Sequence, residues 1–388
     1  MSEAAVRYRG FRFDEIAVLV KDRIDNPTDA KVDRYIGLEH LDSNSLKIRR
    51  WGKPSDVEST KLIFRSGDII FGKRRVYQRK LAVAEFDGIC SAHAMVLRAK
   101  SDVVLPEFLP FFMQSDIFME RALEISVGSL SPTINWKALA KEKFSLPPLE
   151  EQRRIIGMMS IVDSLVVSYT SIEILQKQLI KALAKQAFDS TDPSKTESLK
   201  NLVTKLGSGI TPRGGATVYE KSGVIFLRSQ NVYPEGLRLD GVAFIPKAID
   251  NEMSNTRVYA GDVLLNISGA SMGRCTIYNR TDAANVNQHV CILRPDSKYL
   301  DSKYLTLFLQ SDYGQSLISK FSTKGNREGL NFQQIGGFPI PISHMDAQVV
   351  IGNAFINLLQ GLDIVRNRIR ATLDLRRGLL NRSIGVVT

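Results

Sequence analysis

Leu146-Pro147-Pro148-Leu149-Glu150-Glu151-Gln152-Arg153-Arg154 opens a run that continues to Phe188 with Gly157 as its one glycine and no further proline. Proline disfavours helix in the residue before it, so a helix can start only downstream of Pro148. Glu150 and Glu151 then fall in its first turn, where the helix dipole favours negative charge. Apolar or aromatic residues recur at Ile155, Met158, Val162, Leu165, Tyr169, Ile172, Leu179 and Leu183, interrupted at Gln176. Their spacing alternates three and four, the seam of a coiled-coil helix. From Gln152 to Phe188 such a helix would reach ~55 Å.

The pattern returns near the C-terminus. Phe338-Pro339-Ile340-Pro341-Ile342 precedes Gln348, and then Ile351, Phe355, Leu358, Leu362, Val365 and Ile369 repeat the seam. Gln114-Ser-Asp matches Gln310-Ser-Asp, His93 matches His289, Ile134-Asn-Trp matches Leu330-Asn-Phe, and Gln152 matches Gln348, all at an offset of 196. Accidental matches between unrelated domains would not hold one offset at four landmarks, so the chain reads as a globular part and a long helix, duplicated. Two such helices in one chain can bury each other's stripes. A pseudo-two-fold would make them antiparallel.

Each copy is expected to open with a short amphipathic helix, at Phe13, Ile16, Ala17 and Val20 and at Leu199, Leu202, Val203 and Leu206. Ser208–Gly215 reads as a loop. Strands are expected at Tyr35–Leu41 and Val224–Gln230. Ser66-Gly-Asp-Ile-Ile-Phe-Gly and Ala260-Gly-Asp-Val-Leu-Leu-Asn each read as a Gly-Asp turn feeding a buried strand. Asp189–Ser194 reads as a polar linker between the copies.

Composition bounds the function. At 44% apolar and 24% charged, the chain has the make-up of an ordinary soluble globular protein. No uninterrupted apolar run approaches the roughly 20 residues of a membrane span, and the N-terminus lacks a signal-peptide layout. Cys90, Cys275 and Cys291 show no metal-type spacing and read as reduced, buried, cytosolic thiols. The net charge of +11 favours a polyanionic partner, nucleic acid before an anionic membrane.

Catalytic signatures are missing. There is no phosphate-binding Gly-x-x-x-x-Gly-Lys-Ser/Thr motif, no amino-methyltransferase tetrapeptide at Pro147-Pro148, and no Cys/His cluster for zinc. His93 and His289 read as buried structural histidines. Binding chemistry is better represented. Lys73-Arg74-Arg75-Val76-Tyr77-Gln78-Arg79-Lys80 holds five basic residues of eight, directly after the Gly-Asp strand, where a hairpin tip belongs. Lys and Arg neutralise phosphates, while Arg and Gln can also pair with base edges; a solvated basic loop is the plainer alternative. In the second copy Arg274 closes the equivalent stretch, Arg228, Gln230 and Asn231 end a strand, and Lys324 and Arg327 sit in a turn. Two copies with one frame and different polar tips would read two different half-sites.

The Leu-Pro-Pro-Leu-Glu-Glu-Gln-Arg-Arg-Ile opening, the Gly-Asp-Ile-Ile-Phe-Gly strand, the closing Arg376-Arg377-Gly378-Leu379-Leu380 and the double layout resemble specificity (S) subunits of type I restriction-modification systems. The resemblance covers essentially the whole chain. It implies an α+β fold: target recognition domains at 1–148 and 191–345, and conserved helices at 149–190 and 346–388 forming an antiparallel coiled coil. It further implies a DNA specificity subunit, not itself an enzyme, that reads an asymmetric bipartite duplex and docks two methyltransferase subunits and the restriction/translocase subunits. S-adenosylmethionine, ATP and Mg would belong to those partners, in a prokaryotic cytoplasm. Ile155, Val162, Leu165, Tyr169, Ile172, Leu179, Leu183, Phe355, Leu358, Leu362, Val365 and Ile369 are the expected coiled-coil and docking residues. The second copy departs from the pattern, since Ile342-Ser-His-Met-Asp-Ala-Gln keeps only Gln348. A stand-alone methyltransferase or nuclease with diverged motifs, or a coiled-coil adaptor that never touches DNA, are the alternatives.

Overall fold

The computed structural model describes residues 8–188, 195–322 and 329–384. The expected linker at 189–194 lies outside them. The chain divides into two compact units, Met1–Ser168 with Ile369–Thr388, and Tyr169–Arg368. The division runs through both long helices, so each unit takes part of each.

In the first unit a four-stranded antiparallel sheet runs in the order Ala17–Val20, Ala94–Ala99, Ile69–Gly72, Leu81–Val83. Its middle strands are apolar on both faces because both faces are covered. Ile69, Phe71, Met95 and Leu97 enter a core shared with the helices, while Ile70, Ala94 and Val96 enter a second core. That second core is closed by another four-stranded sheet, ordered Arg23–Ile24, Lys61–Phe64, Gly88–Cys90, Tyr35–Ile36, whose last pairing is parallel. The Gly-Asp turn is fixed by chemistry as well as conformation. Asp68 is buried, accepts the Arg65 amide at 2.9 Å and pairs with Arg98 at 2.8 Å.

The second unit repeats this plan. Val203–Ser208, Val290–Pro295, Val263–Asn266 and Cys275–Ile277 form one sheet, and Ala243–Ile245, Val224–Leu227, Ala284–Val286 and Arg257–Val258 the other. Val263, Leu265, Cys291 and Leu293 face the helical core, with Leu264, Val290 and Ile292 on the opposite face. Asp262 pairs with Arg294 at 2.7 Å, as Asp68 does with Arg98.

The openings differ from expectation. Only Phe13–Ile16 is helical, and Ala17–Val20 is already strand; likewise a single 3-10 turn at Leu199–Asn201 precedes the strand Val203–Ser208. Pairing with Ala94–Ala99 and Val290–Pro295 overrides a helical spacing too short to sustain a helix. The strands at Tyr35 and Val224 are shorter than read, each giving way to a 3-10 turn.

The central helix spans Leu149–Phe188 and the distal helix Met345–Ile384. In the first unit Ile155 and Met159 share a core with Leu380 and Ile384, and Asp163 pairs with Arg376 at 2.6 Å. In the second, Ala184 shares a core with Phe355, and Glu173 pairs with Arg366 at 3.1 Å. In each ion pair the residue numbers sum to 539, which is antiparallel pairing inside each unit.

The distal seam is as read: Phe355, Leu362 and Val365 are buried, Leu358 and Ile369 partly so. The central seam is displaced by one residue at alternate positions. Ile155 and Val162 are buried and Tyr169 and Leu183 half-buried, but Leu165, Ile172 and Leu179 are 44%, 41% and 54% exposed. Met159, Val166, Glu173 and Ile180 turn inward in their place. Both helices also contain an 18-residue window apolar enough, by composition, for a membrane span. Counting uninterrupted apolar runs overlooks this, because a helix that is apolar on its packed side and partly apolar outside has few charges throughout.

Candidate nucleic-acid interface

In the first unit, strands Ile69–Gly72 and Leu81–Val83 form a hairpin closed by the Gly72 amide donating to Lys80 O at 2.9 Å. Lys73–Arg79 is its tip. Two other segments are stitched to that tip through the backbone. The Lys73 and Arg74 amides donate to His93 O at 3.1 and 3.3 Å, the Arg75 amide to Pro132 O at 2.7 Å, and the Ile134 amide to Lys73 O at 2.9 Å. Three loops therefore present one polar surface, and main-chain hydrogen bonds hold them in register.

The five cations of Lys73–Lys80 divide by role. Arg79 turns inward: it pairs with Asp116 at 2.7 Å, donates to Asn44 Oδ1 at 3.1 Å, and reaches Gln114 O. Lys80 donates to Leu38 O at 2.7 Å. Lys73 is half-buried, and burial, then the nearby Arg23, lowers its pKa. Arg74 and Arg75 are exposed, as is Tyr77. Among the described residues no carboxylate forms an ion pair with Lys73, Arg74 or Arg75, so the charges of the two exposed arginines face solvent unneutralised. Gln78 is half-buried.

His93 is not the buried residue expected. It is exposed at the second loop, 3.3 Å from Arg74 Nη1, and its pKa is lowered by burial, then by Arg74 and Lys73. His289 is likewise exposed, with Nδ1 2.6 Å from Ser268 Oγ and Nε2 3.1 Å from Gln288 Nε2. Residues beside apolar strands look buried in sequence, but both histidines occupy the last loop position before the strand begins. Their shared offset marks equivalent places in the two copies, but it does not distinguish a buried place from an exposed one.

The second unit builds the same frame. The Ile267 amide donates to His289 O at 3.0 Å and the Leu330 amide to Ile267 O at 2.9 Å. Among the described residues its tips carry the polar Ser268, Gln288 and His289 where the first unit's carry cations, with Thr211 hydrogen-bonded to Gln288. Asn231 is buried and acts as a turn clamp, accepting from the Arg228 amide at 3.0 Å and donating to Arg238 O at 2.8 Å. Gln230 is exposed. Arg228 lies over the Tyr219 ring at 5.5 Å. Arg274 lies over Tyr233 at 4.7 Å, sharing the ring with Arg238 at 3.6 Å, a cation the sequence reading passed over. Lys324 and Arg327 lie outside the described residues.

Among the described residues no three His, Cys, Asp or Glu side chains gather as metal ligands. Cys90, Cys275 and Cys291 are buried, and burial pushes each thiol up to about 12, so they stay protonated. What the geometry offers is a twice-built set of convergent polar loops suited to hydrogen bonding and charge pairing.

That is the class of a duplicated binding protein whose two surfaces share a frame and differ in their tips. The chain belongs to the family of type I restriction modification DNA specificity domains, whose model matches residues 21–177 and again 199–374. It is 30% identical over 176 residues to the Type I restriction enzyme EcoDI specificity subunit of Escherichia coli, a match covering 45% of this chain and 37% of that relative. It is 21% identical over 334 residues to the Type I restriction enzyme MjaVIII specificity subunit of Methanocaldococcus jannaschii, covering 81% and 75%. In fold it is similar to the type I restriction-modification S subunit of M. genitalium, with a TM-score of 0.63, 15% identity, and coverage of 100% and 98%. A second solved chain, described with the assembly of the type I R-M system, gives 0.59 at 21% identity, covering 98% and 99%.

Proposed function

We propose that this chain is the DNA specificity subunit of a type I restriction-modification complex, reading an asymmetric bipartite duplex through its two units. One observation carries this: the family's two matches fall on two copies of a three-loop frame with different polar tips. Lys73, Arg74 and Arg75 supply phosphate neutralisation and base-edge donors in the first unit, where affinity should fall steeply with salt. Ser268, Gln288 and His289 supply hydrogen-bonding readout in the second. The paired helices fix the spacing between half-sites.

Chemistry then belongs to partners. Two methyltransferase subunits would bring S-adenosylmethionine, and restriction/translocase subunits ATP and Mg, in a prokaryotic cytoplasm. The exposed apolar residues of the central helix support a docking role. Ile161 and Leu165, and further along Ile172, Leu175 and Leu179, are each more than 40% exposed, far more than a solvated helix face needs.

Mapping methylated positions in a genome carrying this system tests the reading. Two half-sites at fixed spacing are expected, and they vanish when this chain is deleted. Methylation or cleavage of DNA by the purified chain alone would replace the reading with an enzyme. A chain that shifts no genomic fragment in a mobility assay, with its methyltransferase partner present, would replace it with an adaptor.

A further inference from the structure

The tip of the basic hairpin is bounded by two left-handed residues that are not glycine: Arg75 at φ 57° and Arg79 at φ 51°. The corresponding turn of the second unit has the same backbone. The Gln78 amide donates to Arg75 O at 2.9 Å and the Met272 amide to Gly269 O at 3.0 Å; the Gly72 amide donates to Lys80 O and the Asn266 amide to Arg274 O. There the two left-handed positions are Gly269 at φ 71° and Gly273 at φ 86°. Glycine takes this conformation without steric penalty, whereas a side chain with a Cβ does not. The first unit thus places arginine at both positions where the same turn is satisfied by glycine.

For Arg79 the structure supplies the reason, because its guanidinium is held by Asp116, Asn44 and Gln114. For Arg75 it supplies none. Its side chain is exposed, forms no ion pair among the described residues, and makes one long contact to Ser131 Oγ at 3.5 Å. A strained residue whose side chain has only this one long internal contact points to an external partner. A phosphate would not require it, since a lysine or arginine on a relaxed backbone reaches a phosphate as well. A planar fork held in a fixed direction suits bidentate pairing with guanine O6 and N7.

We infer that Arg75 is a specificity-determining residue that reads one guanine in the half-site of the first unit, an assignment resting on the DNA-reading function above. The test uses the full chain expressed with its methyltransferase partner, the methylation map as readout, and duplexes carrying the mapped site. Arg75→Lys keeps the charge and loses the fork. It should relax one G·C position of one half-site, lowering preference for that pair by about 5- to 160-fold, the equivalent of 1–3 kcal/mol, while the other half-site and non-specific affinity hold. Arg75→Gly should lose the same discrimination with a melting temperature unchanged or raised. Full discrimination in Arg75→Lys at every position overturns the assignment, as does a marked drop in the melting temperature of Arg75→Gly. If the wild-type complex gives no bipartite methylation, the function itself fails and the assignment falls with it.

Discussion

Gln152 and Gln348, 196 residues apart, are both buried and make the same three hydrogen bonds to partners that are themselves 196 residues apart. Gln152 Oε1 accepts from the Leu105 amide, and its Nε2 donates to Val103 O and Pro147 O. Gln348 Oε1 accepts from the Asp301 amide, and its Nε2 donates to Tyr299 O and Ser343 O. In each unit one side chain ties the first turn of a long helix to the loop entering the helical core and to the segment just before the helix.

Replacing either glutamine by alanine leaves a buried amide and two carbonyls unpaired. The expected cost is about 3 kcal/mol. Denaturant unfolding of the full chain should show similar losses for Gln152→Ala and Gln348→Ala. A loss below half that value in either would mean water replaces the side chain there.

Asp116 links the basic hairpin to the distal helix within the first unit. Burial disfavours its charge, but hydrogen bonds from Arg377, Arg79 and Asn381 outweigh this and hold its carboxyl below the ordinary range. A lowered folded pKa means the contribution is complete above the unfolded value, near 3.9, and is lost as pH falls through the folded one. Asp116→Asn should cost about 1–3 kcal/mol near neutrality. Melting curves across pH should show the gap between wild type and variant closing in acid.

Arg74 and Lys73 add to burial in lowering the His93 pKa. Arg74→Ala should therefore raise the His93 pKa, which NMR titration of the ring protons reads directly. The same variant should weaken binding across all DNA sequences and reduce the salt slope by about one. An unchanged slope would take Arg74 off the phosphate backbone.

The helix pairing makes the spacer testable in a specific way. Seven residues inserted into both long helices, at equivalent points of the antiparallel pairing, keep partners such as Asp163–Arg376 and Glu173–Arg366 together. The methylation map should then show a longer gap between the same half-sites. Insertion into the central helix alone should abolish recognition by breaking register. Recognition of the original spacing by the double insertion would remove the ruler.

The duplication, both long helices, the Gly-Asp strands and the distal seam were legible in the chain because each has a local cause. Proline starts the helices, a Gly-Asp turn needs its glycine, and one offset keeps equivalent residues in equivalent places. The central seam was not. Met158 and Met159, Leu165 and Val166, and Leu179 and Ile180 put apolar residues on adjacent columns of one helix. Periodicity alone cannot choose between neighbouring columns. Glu173 misled further: an inward carboxylate is acceptable because Lys177 and Arg366 both meet it.

The candidate interface divides the same way. Sequence marked the basic hairpin and its position after a strand, since charge density and turn chemistry are local. Only the tertiary structure decided that Arg79 and Lys80 serve the interior, that Asn231 clamps a turn, and that His93 and His289 reach the surface. Those outcomes depend on Asp116, Leu38, Arg238 and the neighbouring loops, partners that no short-range pattern could announce. Sequence thus determined that there are two surfaces on one frame, and packing determined which side chains are left free to read.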